Sequence, residues 1–454
     1  MKVVLIGGGS YTWTPTLAGD LMLREGLAGG HLSLVDLNAA AAEQMRRYCA
    51  LMNERLGAGW TVTADSLTDA LRGADVVCVS ISTGGLQAMH DDYHIPEKYG
   101  IYHTVGDTVG PGGIARTLRN VPVLVDIARQ MERHCPDAWM VHVTNPLSQL
   151  TRAVARRTSI RVVGLCHNYA GTMAMLAKYL DARYEDIDAV SVGVNHYTWL
   201  KDITCQGKPV ADRLTLAGYE AYHRDKHMAL VTNTTDDIIK EALEMKTNKE
   251  YYLNFALYEQ LGYFPVGSSN HVAENLPYYC NHPEAMQKYH IRRKGVLPRR
   301  QVLIDDRKRS VEQVLAGEQP LPEMKLSHEG LSAICEALQT GRAERVMVTM
   351  PNAGQVANLP LGAAVETWAV AGRGGVDPVM SGDVPLVAFG SMLSIVGEQE
   401  LAVEAALTGN REAVYQAMHI SPLVQDKDRA RELADELLEA GRAYLPQFFA
   451  AQQA

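Results

Sequence analysis

The sequence predicts an α/β protein: a doubly wound parallel sheet joined to a second, mostly helical α+β lobe. Three observations predict it. Short apolar runs alternate with helix-length amphipathic segments from residue 1 to about 155. The first run, Lys2 to Ile6, leads straight into the glycine turn Gly7-Gly8-Gly9-Ser10. The second, His31 to Val35, ends on an acidic residue, Asp36. A strand, a glycine turn, a helix and a second strand closing on a carboxylate form a Rossmann-like rhythm.

Taken in order, the expected strands are Lys2 to Ile6, His31 to Val35, Val76 to Ser80 and Trp139 to Val143. The expected helices between them include Ala39 to Arg55 and Asn120 to His134. Two more apolar runs, Arg161 to Cys166 and Val190 to His196, read as neighbouring buried strands, each with a soft metal ligand at its end. From about residue 210 the pattern is mostly helical, interrupted by a loop from Gly262 to Pro277 and a strand from Arg345 to Met350. A charge-laced helix, Gln425 to Ala440, closes the chain. The division this suggests is a nucleotide-binding unit over 1–155 and a metal- and substrate-binding lobe over 156–454, lying on the sheet's carboxyl edge.

Composition narrows the function. The chain has 454 residues, 47% of them hydrophobic and 21% charged, so it can bury a large core. A formal net charge of −9 gives no basic footprint and argues against a nucleic-acid partner. Seven cysteines without a Cys-x-x-Cys pair indicate reduced thiols, and hence a cytoplasmic protein. The first residues enter a strand directly, so no signal peptide is expected. No stretch reads as a bilayer span, and no membrane partner is expected.

In the glycine turn, Gly7 permits the sharp bend and Gly9 lets the backbone approach a pyrophosphate at a helix amino end, with Ser10 beside it. Thr12 stands where the usual fingerprint has its third glycine. Asp36 is placed to take ribose hydroxyls and would repel a 2′-phosphate, which favours NAD over NADP. Thr144-Asn145-Pro146 is similar to the Asn-Pro turn of lactate and malate dehydrogenases, which points its Asn toward the nicotinamide. Cys166 and His196 suit a borderline divalent cation, and two protein ligands leave positions open for substrate hydroxyls. Taken singly, Cys166 also reads as an ordinary buried thiol and His196 as a hydrogen-bonded core imidazole.

These segments, with Asp107-Thr108-Val109-Gly110-Pro111-Gly112-Gly113-Ile114, Gly164-Leu165-Cys166-His167, Gly193-Val194-Asn195-His196, Leu261-Gly262-Tyr263-Phe264 and Asn358-Leu359-Pro360, resemble glycoside hydrolase family 4 almost end to end. That family comprises NAD- and divalent-metal-dependent glycosidases, an exception to two-carboxylate hydrolysis. The resemblance implies hydrolysis of α-linked hexosides or hexuronides. Its steps are hydride removal from C3, proton removal from C2, elimination at C1, water addition and re-reduction. It implies Mn2+ or another divalent metal on Cys166 and His196, a small-molecule sugar as partner, and a homodimer or homotetramer.

Within that scheme Asn145 orients the C2 or C3 hydroxyl, and His167 serves as acid or binds the sugar. The Cys-His pair at 166–167 is similar to the branch acting on unphosphorylated sugars. Asn168 is a branch-specific substrate position, and Arg119 or Arg116 is a candidate substrate fork. Asp107 is placed to anchor His196 or to cap the glycine turn. The base is expected on the helix before Leu261. Ala256 stands where relatives carry it, so Tyr258 is the candidate, among Tyr251, Tyr252 and Tyr258. Ser268, Ser269, Asn270 and His271 form a polar loop that would close over the sugar. Two further readings stay open: a 6-phospho-glycosidase of the same family, and an NAD-dependent 2-hydroxy acid dehydrogenase of the lactate/malate type.

Overall fold

The computed structural model describes residues 1–232, 249–293 and 296–449. Nine strands form one sheet, in the order β13-β12-β11-β6-β5-β4-β1-β2-β3. They are β1 (Lys2–Ile6), β2 (His31–Val35), β3 (Thr61–Ala64), β4 (Val76–Val79), β5 (Trp139–His142), β6 (Arg161–Gly164), β11 (Glu344–Pro351), β12 (Ala364–Gly372) and β13 (Gly375–Pro378). β1 to β6 run parallel, and β11 to β13 extend the sheet antiparallel beside β6. The sheet therefore takes strands from both sides of residue 155. A second, antiparallel sheet holds β7 (Ile187–Val194), β8 (Tyr197–Cys205), β9 (Lys208–Pro209) and β10 (Phe264–Pro265).

The parallel strands are apolar on both faces: Val76 to Val79 are wholly buried, as are Trp139 to His142. Helices cover both sides, as such sheets require. The first two strands lie where the sequence places them, while β4 and β5 each stop one residue earlier. The helix expected from Asn120 begins ten residues sooner, as Gly110–His134, because Pro111 sits in its first turn, where a missing N–H costs nothing. The loop expected over 262–277 contains β10 and the helix Ser269–Glu274.

Two expectations are corrected. Cys166 and His196 do not follow neighbouring strands: β6 belongs to the large sheet and β7 to the small one. The helix Leu386–Thr408 is long and apolar enough, by length and composition, to cross a membrane. Here Met392, Ile395, Val396, Ala402 and Val403 are buried, in contact with the helices Gly110–His134 and Arg411–Ile420.

Two buried polar features tie this frame together. Arg119, on the helix Gly110–His134, grips Asp92 with both terminal nitrogens at 2.8 and 2.6 Å, away from water. His142, ending β5, donates to the Thr144 carbonyl at 3.3 Å and accepts from the Thr151 hydroxyl at 2.8 Å. Burial pushes its pKa down to about 4. Replacing Asp92 by Ala strands the guanidinium and should cost about 3–5 kcal/mol in chemical denaturation. Because the folded His142 resists a proton that the unfolded chain accepts, stability should fall as pH drops from 6.5 toward about 4. Urea midpoints across that window should fall less steeply for His142→Gln than for the parent.

Candidate functional site

Two adjoining clefts open along the carboxyl edge of the large sheet. The larger, about 420 Å³, is lined by the glycine turn's Ser10, by Ser80, Ser82 and Arg116, and by Asn145. The other, about 300 Å³, holds Cys166, His167, Asn168, His196 and His271. Asp107, Asn145 and Arg300 line both.

The first cleft is a cradle for a dinucleotide. Gly7 has φ +88°, and a Cβ there would lie 1.9 Å from the Ser80 carbonyl oxygen. Gly7 and Gly8 donate to the Val35 carbonyl at 2.8 and 2.9 Å, folding the turn against the end of β2. A Cβ on Gly9 would meet Asp36 at 2.9 Å. Asp36 is fixed by the Gly9 N–H at 2.9 Å and the Asn38 N–H at 2.8 Å. It keeps lone pairs at the strand end for a ribose. Thr12, in place of a third glycine, precedes the helix Trp13–Met22, and the Ser10 hydroxyl accepts from the Trp13 N–H at 3.1 Å. The donors and the glycines thus fit NAD.

The second cleft fits a cation. Thr108 donates its hydroxyl to Asp107 at 2.9 Å, so His196 Nδ1–H donates to Thr108 at 2.8 Å. His196 Nε2 is then left with its lone pair free for a metal. Asp107 Oδ1 itself lies 3.7 Å from His196 Nδ1. Burial opposes charge on Asp107, but His196 and Arg116 outweigh it and hold the carboxyl well below the usual range. His196 occupies the two-residue turn joining β7 to β8, at φ +64°, and the Asn275 amide holds its carbonyl at 2.8 Å.

Cys166 follows β6, and burial, then Glu366, push its thiol up. Such a thiol ionises when a cation displaces its proton. Among the described residues no group of three or more His, Cys, Asp or Glu is placed to hold a metal. Two protein ligands with open positions are what a metal chelated by sugar hydroxyls requires.

Around this pair, Asn145 donates to Asp107 at 3.1 Å, and its carbonyl accepts from Arg116 at 3.1 Å and Asn120 at 2.9 Å. His167 Nδ1 lies 3.0 Å from Glu329, which raises its pKa and favours a protonated ring. The amide nitrogen of Asn168 is buried without a partner. His271 packs edge-on to His196, with centroids 4.8 Å apart, and its Nδ1 is 3.0 Å from the Ser268 hydroxyl. Burial and the neighbouring His196 push His271 down to about 4, so it is neutral at pH 7.

Two expected residues are elsewhere. Tyr258 lines neither cleft; its ring packs on Phe264 and its half-buried hydroxyl is influenced by Asp212. Ala256 is in the core. Arg119 is committed to Asp92 and has no fork to offer a substrate. Sequence reasoning missed Thr108, Glu274 and Glu366. Glu274 accepts four donors on one oxygen: His103 Nδ1–H at 2.7 Å and the N–H groups of Thr104, Val105 and Gly106 at 3.0, 3.0 and 2.7 Å. It thereby sets the loop that presents Asp107. Glu366, wholly buried in β12, accepts from Asn195 at 2.6 Å. A lone carboxylate inside an apolar strand was the available signal for it.

The Bacillus subtilis α-galacturonidase is 33% identical over 97% of each chain, and the B. subtilis α-galactosidase is 30% identical over 98% of this chain and 99% of that protein. A solved B. subtilis structure superposes with TM-score 0.83 and 31% identity, covering 96% of this chain and 99% of that one. A 6-phospho-α-glucosidase from gut microorganisms, solved with NAD and Mn2+, shares the fold at TM-score 0.80 and 20% identity, over 98% and 99%. The family 4 glycosyl hydrolase model matches residues 2–182 and the model of that family's C-terminal domain matches 191–424, so the chain belongs to the family 4 glycosyl hydrolases.

Proposed function

We propose that this chain hydrolyses α-linked hexosides or hexuronides, using NAD and a divalent metal such as Mn2+. The observation that carries the reading is the junction at Asn145 and Asp107, where the dinucleotide cradle meets the cleft holding Cys166 and His196. When bound, NAD supplies a reversible hydride acceptor for C3 of the sugar, and the metal a Lewis acid for its O2 and O3.

The chain's own residues supply the rest. Cys166 and His196 hold the metal, and Thr108 fixes the His196 tautomer. Asn145, pinned by Asp107, orients a sugar hydroxyl toward the cofactor cleft. Asn168 offers its unpartnered amide to the sugar. His167, whose protonated form Glu329 favours, donates a proton to the leaving oxygen. His271, neutral and beside His196, takes the proton from C2 in place of Tyr258. The relatives named α-galacturonidase and α-galactosidase support α-linked substrates.

Chelation should abolish cleavage of chromogenic α-glycosides, and Mn2+ should restore it. Cys166→Ser should weaken metal binding at least tenfold by titration, and Thr108→Val by about 10–100-fold, the usual cost of losing a partner behind a ligand. Unchanged metal affinity in Cys166→Ser would remove residue 166 from the site. In D2O the product sugar should carry deuterium at C2. His271→Asn should lower kcat by about 10²–10⁴-fold and suppress that exchange. Full activity in His271→Asn, or a product without the label, would sink the proton-transfer assignment. NADH accumulating from a hydroxy acid would instead mark a dehydrogenase.

A further inference from the structure

The metal-bearing cleft contains one further charged group that the reaction does not use. Arg300, on the helix Val296–Leu315, lines both clefts and is half-buried. Among the described residues it makes no hydrogen bond and no ion pair, in contrast to Arg119 on Asp92 and Arg293 on Glu97. Its charge nevertheless reaches the site: it stabilises the Asp107 carboxylate and disfavours a proton on His271. Asp107 is engaged by Thr108 and Asn145, and no ion pair at bonding distance joins it to Arg300. A guanidinium that faces a cleft with no carboxylate at bonding distance among the described residues can receive an anion brought by the ligand.

We infer that Arg300 binds the C6 carboxylate of the sugar, which makes hexuronides the preferred substrates. The inference rests on the glycosidase reading above and narrows it. A sugar held through O2 and O3 at Cys166 and His196 directs its C5 substituent across the ring, away from the metal. Besides Arg300, the polar side chains lining this cleft that are not assigned to metal or proton transfer include no second cation: Asp107 is acidic and held by Thr108 and Asn145, and the others, among them Asn168, Ser268 and Asn270, are neutral. One planar fork with neutral donors suits a singly charged, planar carboxylate. A phosphate dianion calls for more positive charge than this cleft supplies, and a neutral hydroxymethyl group would leave the guanidinium unpaired.

The test compares p-nitrophenyl α-D-galacturonide, α-D-galactoside and 6-phospho-α-D-galactoside, using the full chain with NAD+, Mn2+ and a thiol reductant. The parent should show kcat/KM at least tenfold higher for the galacturonide. Arg300→Gln should collapse that ratio at least tenfold through KM, and Arg300→Lys, with charge but no fork, should fall between. NAD+ affinity by fluorescence titration should stay within threefold. In parallel, free galacturonate should raise the Tm of the NAD+- and Mn2+-loaded parent, galactose should not, and Arg300→Gln should lose the shift. Hydrolysis with no preference for the galacturonide, or a preference for the phosphorylated glycoside, overturns the Arg300 inference and leaves the glycosidase reading intact. No hydrolysis of any glycoside, with the galacturonate shift present and dependent on Arg300, does the reverse. A loss of NAD+ affinity in Arg300→Gln without a change in substrate ratio reassigns the guanidinium to the cofactor.

Discussion

The site depends on one hydrogen-bond chain, His196–Thr108–Asp107–Asn145. Its members come from separate parts of the fold. His196 sits on the hairpin of the small sheet, Asn145 follows a central strand of the large sheet, and Thr108 and Asp107 lie on the loop entering the helix Gly110–His134. The chain settles which imidazole nitrogen carries the proton and which faces the cleft. It also fixes the distance between the cofactor side and the metal side, because Asn145 belongs to both. Hydride and proton chemistry on adjacent carbons needs that registration, since misplacement by about 1 Å costs on the order of a hundredfold in rate.

The loop at the centre of this chain has little regular structure of its own and is held by buried ionic and polar anchors. Glu274 gathers four donors around residues 103–106 on a single oxygen. His103 in turn accepts from the Gly112 N–H at 3.1 Å, tying the loop to the following helix. At the helix start, Glu398 accepts from the Gly110 N–H at 2.8 Å, and burial pushes its carboxyl up to about 7. Burying such carboxylates is costly unless donors meet them, and here the donors are the otherwise unpaired amides of the loop and first turn. Stability and site geometry are therefore secured by the same contacts.

Much of this was legible in the sequence wherever one residue type has one physical role. Gly7 needs positive φ, Asp36 closes a strand beside the glycine turn, and Cys166 and His196 end apolar runs, so segments that frame the two clefts could be read from spacing. What failed depends on facing rather than on identity. No residue of the helix Tyr252–Leu261 lines either cleft, and its mixture of apolar, aromatic and polar side chains does not advertise what it packs against. Arg119 looked available because Asp92, its partner, lies 27 positions away on another helix. The two sheets were read as one because both ligand strands are apolar, and apolar strands alone do not reveal their hydrogen-bonded neighbour. Arg300 carries no sequence signature at all; only the cleft distinguishes it from the surface arginines around it.

The way Cys166 is buried follows from the same logic. An apolar surrounding raises a thiol's pKa, and the nearby carboxylate of Glu366 raises it further, so without a cation the sulfur keeps its proton. Glu366 does not touch the sulfur directly. It grips Asn195 at 2.6 Å, and Asn195 bonds the Cys166 side chain while preceding His196. The carboxylate thus sets the position of both Cys166 and His196 through one amide. A thiol buried this way keeps its proton and stays unreactive, and it would ionise only against a cation, which would couple any cation affinity to pH.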